Sequence, residues 1–549
     1  MLHAVHNRLT EWSFSSGKAY PHPFREVTLD VVVTDPRGVE RIIPAFWAGD
    51  QTWSVRYAPL AEGEHRYLTV CSDTSNPDLH GREGVLIAGP YEGDNTLLRH
   101  GALEMSSNRR HLQHRDGKPF FWLADTWWMG LCNRLEWPDE FKTLTADRVE
   151  KGFSVIQIVA GLYPDMPAFD PRGANEAGFP WDEKFEAINP DYFDMADLRI
   201  AWLVRQGLLP CIVGCWGYFL DFAGMDAMKR HWRNLVARYA AYPVVWCLAG
   251  EATMPYYRKS LANDEELKAY RTEMSEGWAE IARYVRELDP YHHPVTIHPI
   301  AERGARQMIE PQWLDLDMLQ TGHGDRMSIK GTMEQVEESY AAAPVLPVVN
   351  GEVCYEGILE ACREEMQRFY FWTCILSGAC GHSYGANGLW QLNRHEQPYG
   401  LSPIGTSYSG PSWDEASQLP GSRQVGLGKQ LLERYEWWRF EPHPEWTEAS
   451  DTVSRDDATR VYGAGIAGEV RVFFIPAASS FVGPIIKNVE PDVAYRAFFF
   501  DPRNGQEHET DAVEVEVNGD WSLRKRIPSF PAQHDWVLVM ERVSLSRAA

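Results

Sequence analysis

Short stretches that alternate apolar and polar residues fill the first 88 positions. VTLDVVVTD, RIIPAFWAG, TWSVRYAP and EHRYLTVCS are β-branched or alternating runs, separated by turn signals at Asp35-Pro36-Arg37-Gly38, Ala48-Gly49-Asp50 and Glu62-Gly63. Strands spaced this closely predict an immunoglobulin-like β-sandwich over 1–88, and the turn-rich GPYEGDN (89–95) reads as a linker. From about 100 the pattern changes. Apolar runs at 120–124, 155–160, 208–213, 244–249, 294–298, 316–320, 346–350 and 379–384 alternate with helical patterns such as 191–207, 226–242 and 266–288. Strands alternating with helices in this way predict an α/β fold, a (β/α)8 TIM barrel over 89–430. A doubly wound sheet is the rival, but no G-x-G-x-x-G follows the first strand. Strand-like alternation returns in RVYGAGIAGEVRVFFIP, YRAFFFDPRNGQ and HDWVLVMERV, which predicts a C-terminal β-sandwich over 431–549.

Charge and composition narrow the partners. The 53 Lys plus Arg against 77 Asp plus Glu give a net charge of −24, a surface that repels nucleic acid and anionic membrane. No apolar run approaches the ~18 residues of a membrane span. The first residues, MLHAVHNRLTEW, lack the basic and apolar regions of a secretory signal, so the expected location is cytoplasmic. Nine cysteines with no CxxC pair read as buried reduced thiols, among them Cys211, Cys215, Cys247 and Cys374. The 22 Trp, 23 Tyr and 23 Phe lean toward carbohydrate, because a flat apolar ring with a polar edge suits the C–H face of a sugar. Oligomeric state is not legible.

Barrel chemistry sits at the C-terminal strand ends. The residues that follow the apolar runs crowd this rim with polar and aromatic groups: Asp125-Thr126-Trp127-Trp128 after the first strand, Gln157, Tyr163 and Asp165 at the second, Trp216 and Tyr218 at the third. The later strands add Glu251, His298, Gln320 and His323, Glu352 and Tyr355, then His382, Tyr384, Asn387, Trp390 and Gln391. Glu251 and Glu352 each end an apolar strand, VVWCLAGE and VLPVVNGE, on strands four and seven of the expected barrel. A pair of carboxyls facing each other across the mouth suits glycosidic bond cleavage: the leaving oxygen needs a proton and the anomeric carbon needs an anion on its other face. His298 and His323 are candidate metal ligands, but a metal-dependent hydrolase would want more ligands, typically H-x-H on strand one, where this chain has D-T-W. No metal or cofactor is therefore expected. The expected sugar-binding set is Asp125, His298, His323, Tyr355, His382 and Tyr384, with Trp127, Trp216 and Trp390 as walls. Of the Trp127-Trp128 pair, one ring belongs to the core and the other to the sugar side, since adjacent strand residues face opposite ways.

FFWLADTWW (120–128), LAGE (248–251), LQTGHG (319–324), VVNGEVCYEG (349–357) and GHSYGANGLWQ (381–391) together resemble the apiosidase-like barrels of glycoside hydrolase family 140. The first 88 residues resemble the Ig-like module often placed before such barrels, and WWRFEPHPEW and FFFDPRNG resemble the β-domain after them. The resemblance implies a retaining, exo-acting hydrolase of plant-type glycosides, with a strand-four acid/base falling on Glu251 and a strand-seven nucleophile falling on Glu352. Family members carry aspartate in a Gly-Gly-Asp setting where this chain has Ala249-Gly250-Glu251, so apiosidase and another exo-glycosidase both stay open. Two readings from other classes also stand at this point: a non-catalytic carbohydrate-binding protein, and a metal-dependent hydrolase on the same barrel.

Overall fold

The computed structural model describes residues 2–257, 263–448, 456–480, 483–510, 512–523 and 533–543, so the last six positions of the expected 431–549 segment lie outside the described residues. A curled sheet occupies the centre. Its strands are β1 (Trp122–Trp127), β2 (Val155–Val159), β3 (Leu209–Val213), β4 (Val245–Cys247), β5 (Val295–Thr296), β6 (Asp317–Gln320), β7 (Val348–Glu352) and β8 (Gly381–Tyr384). They run in the spatial order β5-β4-β3-β2-β1-β8-β7-β6, and a short antiparallel strand, Arg303–Gly304, makes a ninth beside β6. Every pairing among the eight is parallel. The two ends of the sheet approach each other: the Asp315 N–H donates to the Val295 carbonyl at 2.8 Å, and Thr296 Oγ1 donates to the Leu316 carbonyl at 3.1 Å.

Strands buried on both faces read as continuous apolar runs, and β1, β2, β3 and β7 are buried at every position. Helices cover the outer face: α1 (Asp139–Glu150), α2 (Pro190–Arg205), α3 (Phe219–Tyr239), α4 (Asp264–Leu288), α5 (Ile329–Ala341), α6 (Glu364–Leu376) and α7 (Pro420–Leu432). In α2, Pro190 opens the first turn and Tyr192, Phe193, Ala196, Ile200 and Leu203 form the buried stripe. The first strand lies further along than the expected 120–124. Phe120 pairs instead with Leu112 in a small antiparallel sheet, where Pro119 sits on an edge strand that needs no N–H from it.

The N-terminal residues form two sheets. One has five strands in the order Leu2–Val5, Glu83–Gly89, Gly63–Cys71, Leu29–Thr34, Glu40–Pro44; the other pairs Thr10–Ser15, Thr52–Tyr57 and Phe46–Trp47. Alternation sets the inward face: Leu29, Val31 and Val33 are buried while Asp30, Val32 and Thr34 are not. The C-terminal residues form a six-stranded and a three-stranded sheet around a separate apolar core that includes Trp446, Phe473, Trp521, Trp536 and Leu538. Buried charges join these parts to the helices. Arg56 reaches Asp197 at 2.5 Å and the Arg238 carbonyl at 3.0 Å, and Arg368 of α6 holds both carboxylate oxygens of Asp535 at 2.7 Å. All nine cysteines are buried and free. Among the described residues no helix is long and apolar enough to cross a membrane.

Candidate active site

Glu251 follows β4 on a backbone pinned to the segment just after β3. The Gly250 N–H donates to the Cys215 carbonyl at 2.9 Å, and the Gly217 N–H donates back to the Gly250 carbonyl at 2.7 Å. Gly250 is required here because a Cβ on it would stand 2.2 Å from the Trp216 ring. Glu251 itself adopts φ 42°, a left-handed conformation that side chains other than glycine seldom take. Trp216 Nε1 then donates to Glu251 Oε2 at 3.2 Å.

Glu352 closes β7 and is 4% exposed. His323 Nε2 lies 2.8 Å from its Oε1, Gln320 Nε2 donates to the same oxygen at 2.9 Å, and His298 Nε2 lies 3.1 Å from Oε2. Gln320 Nε2 also reaches Glu251 Oε1 at 3.4 Å, so one amide group joins the two carboxyls. The two Oε1 atoms are thus no farther apart than those two legs laid end to end. Their environments differ in sign. Burial raises the Glu251 carboxyl above its ordinary range, and the Glu352 charge raises it further, against the opposing pull of His298, Gln320 and Trp216. Burial acts on Glu352 in the same direction, but the imidazoles of His298 and His323 beside its two oxygens outweigh it and hold this carboxyl well below its ordinary range.

Aromatic rings surround the pair. Trp128 packs edge-on against Trp216 and His298, at 5.6 and 5.5 Å between centroids, and its Nε1 donates to the Tyr355 hydroxyl at 2.9 Å. Tyr355 lies against His323 at 4.6 Å and Trp390 at 6.2 Å. The backbone at Gly385 lets the Tyr355 ring approach, since a Cβ there would be 2.2 Å from it. Trp390 Nε1, His323 Nδ1 and Gln320 Oε1 are buried polar atoms without a protein partner: one donor, one imidazole nitrogen whose role follows its tautomer, and one acceptor. Among the described residues no three His, Cys, Asp or Glu side chains converge as a metal site; His298 and His323 direct their Nε2 atoms at the Glu352 carboxylate instead.

Seven of the expected site residues therefore meet: Glu251, Glu352, Trp216, His298, His323, Tyr355 and Trp390. Four do not. Asp125 is fully buried on the helix side of β1, where Arg148 Nε binds its Oδ2 at 2.5 Å and Trp127 Nε1 donates to the same oxygen at 2.7 Å. Trp127 packs on Phe141 of α1 at 5.7 Å, on the helix side, while its neighbour Trp128 lies beside Trp216 and Tyr355. His382 is buried against Phe371 of α6 at 5.5 Å, and burial pushes its imidazole down to about 3. Tyr384 donates to Glu356 Oε2 at 2.5 Å, and Glu356 in turn accepts the Gly421 N–H in the first turn of α7. Gln320, given no role from the sequence, is the bridge of the site. Its position at the end of β6 was the available signal.

A carboxyl pair with split proton affinities thus sits among aromatic rings at the C-terminal ends of parallel strands, where parallel α/β sheets carry their chemistry. The chain belongs to the apiosidase-like family: the model "Apiosidase-like, catalytic domain" matches residues 106–439. It is a glycoside hydrolase. Residues 7–72 match a domain of unknown function, DUF5060. Among solved structures, one described as a glycoside hydrolase is 21% identical, with 80% of this chain and 97% of that one covered at a TM-score of 0.65. A glycoside hydrolase family 5 protein from Bacteroides vulgatus ATCC 8482 is also 21% identical, covering 81% and 94% at 0.65. A putative glycoside hydrolase from the same organism is 17% identical and covers 99% of this chain and 100% of that one at 0.68, so its likeness extends over the flanking β segments. Among curated proteins none matches.

Proposed function

We propose that the chain is a retaining, exo-acting hydrolase of plant-type glycosides, working by double displacement on a (β/α)8 barrel between two β-sandwiches. Glu352 attacks the anomeric carbon as the carboxylate. Glu251 protonates the leaving oxygen, then takes a proton from the water that releases the sugar. The observation that carries this reading is the Gln320 bridge between two carboxyls of opposite character. Its two legs, 3.4 and 2.9 Å, bring an oxygen of each carboxyl to a single amide group, the close approach that a retaining pair, ~5–5.5 Å apart, needs. The proton distribution fits the roles: a nucleophile must be ionised at rest and an acid must hold its proton, and the environments push Glu352 and Glu251 in those directions. Trp128, Trp216, Tyr355 and Trp390 would line the apolar face of the sugar, and the imidazoles of His298 and His323 keep the nucleophile oriented. The family match makes an apioside the first substrate to try.

The test is a panel of nitrophenyl furanosides and pyranosides, apiofuranoside included, assayed before and after dialysis against a chelator. Turnover of at least one member that survives chelation supports the carboxylate mechanism. Activity lost to the chelator and restored by zinc or manganese would replace it with the metal reading.

A further inference from the structure

The strand end that carries Glu352 is irregular. Leu319 of β6 pairs with Asn350 of β7, but the next residue, Gln320, pairs with Glu352, so Gly351 is the extra residue of a bulge. A Cβ on Gly351 would stand 2.4 Å from Met318 Cγ, which leaves the position to glycine. Bulges re-aim the side chains beside them, and the one that follows here, Glu352, meets His298 and His323. Both flanks of the bulge are tied to the residue after β6. The Thr321 N–H donates to the Glu352 carbonyl at 2.9 Å, and Asn350 Nδ2 donates to Thr321 Oγ1 at 3.2 Å.

The middle of the bulge is held from a distant strand. Gln157 is the one polar residue of β2, VIQIV, and is fully buried. Its Nε2 donates to the Gly351 carbonyl at 3.0 Å. In the sheet β2 and β7 are separated by β1 and β8, so this bond crosses the interior of the curl. The other end of the amide is fixed as well: Oε1 accepts from Ser383 Oγ at 3.3 Å, and Ser383 Oγ accepts from Trp122 Nε1 at 3.3 Å. Thr126 Oγ1 donates to the Tyr384 carbonyl at 3.0 Å and accepts the second amide hydrogen of Gln157 at 3.5 Å. Leucine or methionine would suit the four apolar neighbours in β2 without the cost of burying an amide. What the amide adds is a partner for one buried carbonyl, that of the peptide leading into Glu352.

We propose that Gln157 is a positioning residue for Glu352: its amide fixes the plane of the bulged Gly351–Glu352 peptide and, through it, holds the carboxyl against His298 and His323. Gln157 takes no part in bond breaking. The consequence for turnover rests on the glycosidase reading above, whereas the placement of the carboxyl does not. Losing the bond lets the peptide rotate, and a shift of ~1 Å at a reacting group costs on the order of 100-fold in rate. Glu352 then also leaves the imidazoles that keep it ionised.

The experiment uses the full chain, an aryl glycoside that it cleaves, and Gln157→Met, which keeps the length of the side chain and removes the N–H. The variant should lower kcat on the order of 10- to 100-fold with KM little changed. The acid limb of kcat/KM against pH should move to higher pH, because Glu352 loses imidazole contact. Thr126→Val cuts another bond of the same network without touching the bulge, so it should lower the unfolding midpoint yet leave the acid limb in place. Ser383→Ala frees only the Oε1 end of the amide and should move the limb the same way by less, which covers a Gln157→Met chain too unstable to assay. A crystal structure of the variant reads the placement without substrate and should show Glu352 off at least one imidazole. Glu352 still on both imidazoles, or an acid limb that stays in place as it does in Thr126→Val, would mean that Gln157 only fills the core, and the proposal would be overturned. If the unaltered chain cleaves no glycoside at all, the glycosidase reading falls, and the crystal structure alone still decides the placement.

Discussion

Removing either imidazole beside Glu352 should move the acid limb of the pH–activity profile upward. Glu352 attacks only as the carboxylate, and His298 and His323 are what hold it ionised against its burial. A hydrogen bond to a charged group is worth ~1.5–3 kcal/mol, and one pKa unit corresponds to ~1.4 kcal/mol, so each ring accounts for about 1–2 units. The two should differ. The His298 side chain is fully buried, whereas that of His323 is 27% exposed, so water replaces part of what His323→Ala removes. His298→Ala should therefore shift the limb nearer to about 2 units and His323→Ala nearer to about 1. Glutamine at either position offers an amide N–H and should recover part of the shift. The measurement is kcat/KM on a cleaved aryl glycoside across the acidic range, since this ratio reports ionisations of the free enzyme. Stability gives an independent reading with a fixed sign. The folded Glu352 carboxyl ionises below the ordinary glutamate range, so its contribution to stability is present above that range and is lost as pH falls through the folded value. The gap in unfolding free energy between wild type and His323→Ala should accordingly narrow in acid. A uniform fall in activity at every pH, with the acid limb unmoved, would refute the assignment of these rings to Glu352.

Three further outcomes follow from the same geometry. Asp125→Ala takes from the fully buried Arg148 one of its two carboxylate partners, leaving Asp147 and the Ser417 carbonyl, and should cost ~1.5–3 kcal/mol in denaturant unfolding, with KM little changed among molecules still folded; a raised KM at unchanged stability would return Asp125 to the sugar pocket. Gly250→Ala places a methyl group 2.2 Å from the Trp216 ring and should displace both Trp216 and Glu251, lowering kcat by on the order of 100-fold; near-normal turnover would mean that this approach is not needed. Arg368→Ala should lower the unfolding midpoint, because it leaves Asp535 buried without its cation, and a chelator-like loss of activity with no stability change would contradict that structural role.

The two glutamates were legible because each ends an apolar run, and strand ends are where such sheets do chemistry. What the sequence left open was parity. A strand turns successive side chains to opposite faces, so choosing the wrong member of a pair inverts its meaning. Asp125 and Trp127 share one face of β1 and point to the helices, while Thr126 between them points inward and donates to the Tyr384 carbonyl at 3.0 Å. In β8, His382 and Tyr384 likewise share the outer face, and Ser383 points inward to Gln157 at 3.3 Å. Both strands are buried on both sides, so polarity gave no contrast from which to read the inner face. The bridge made by Gln320 depends on three strand ends meeting in space, which spacing along the chain does not encode.

Double displacement by Glu352 and Glu251 is tested most directly by Glu251→Ala with a good-leaving-group aryl glycoside, with and without azide, followed by proton NMR of the first product. Without its acid/base, the variant should still form the glycosyl-enzyme but release it slowly, for want of an activated water. Azide needs no general base and should restore turnover, giving a glycosyl azide with the configuration of the substrate. An azide product of inverted configuration, or a Glu352→Gln chain that still turns over at the wild-type rate, would contradict it.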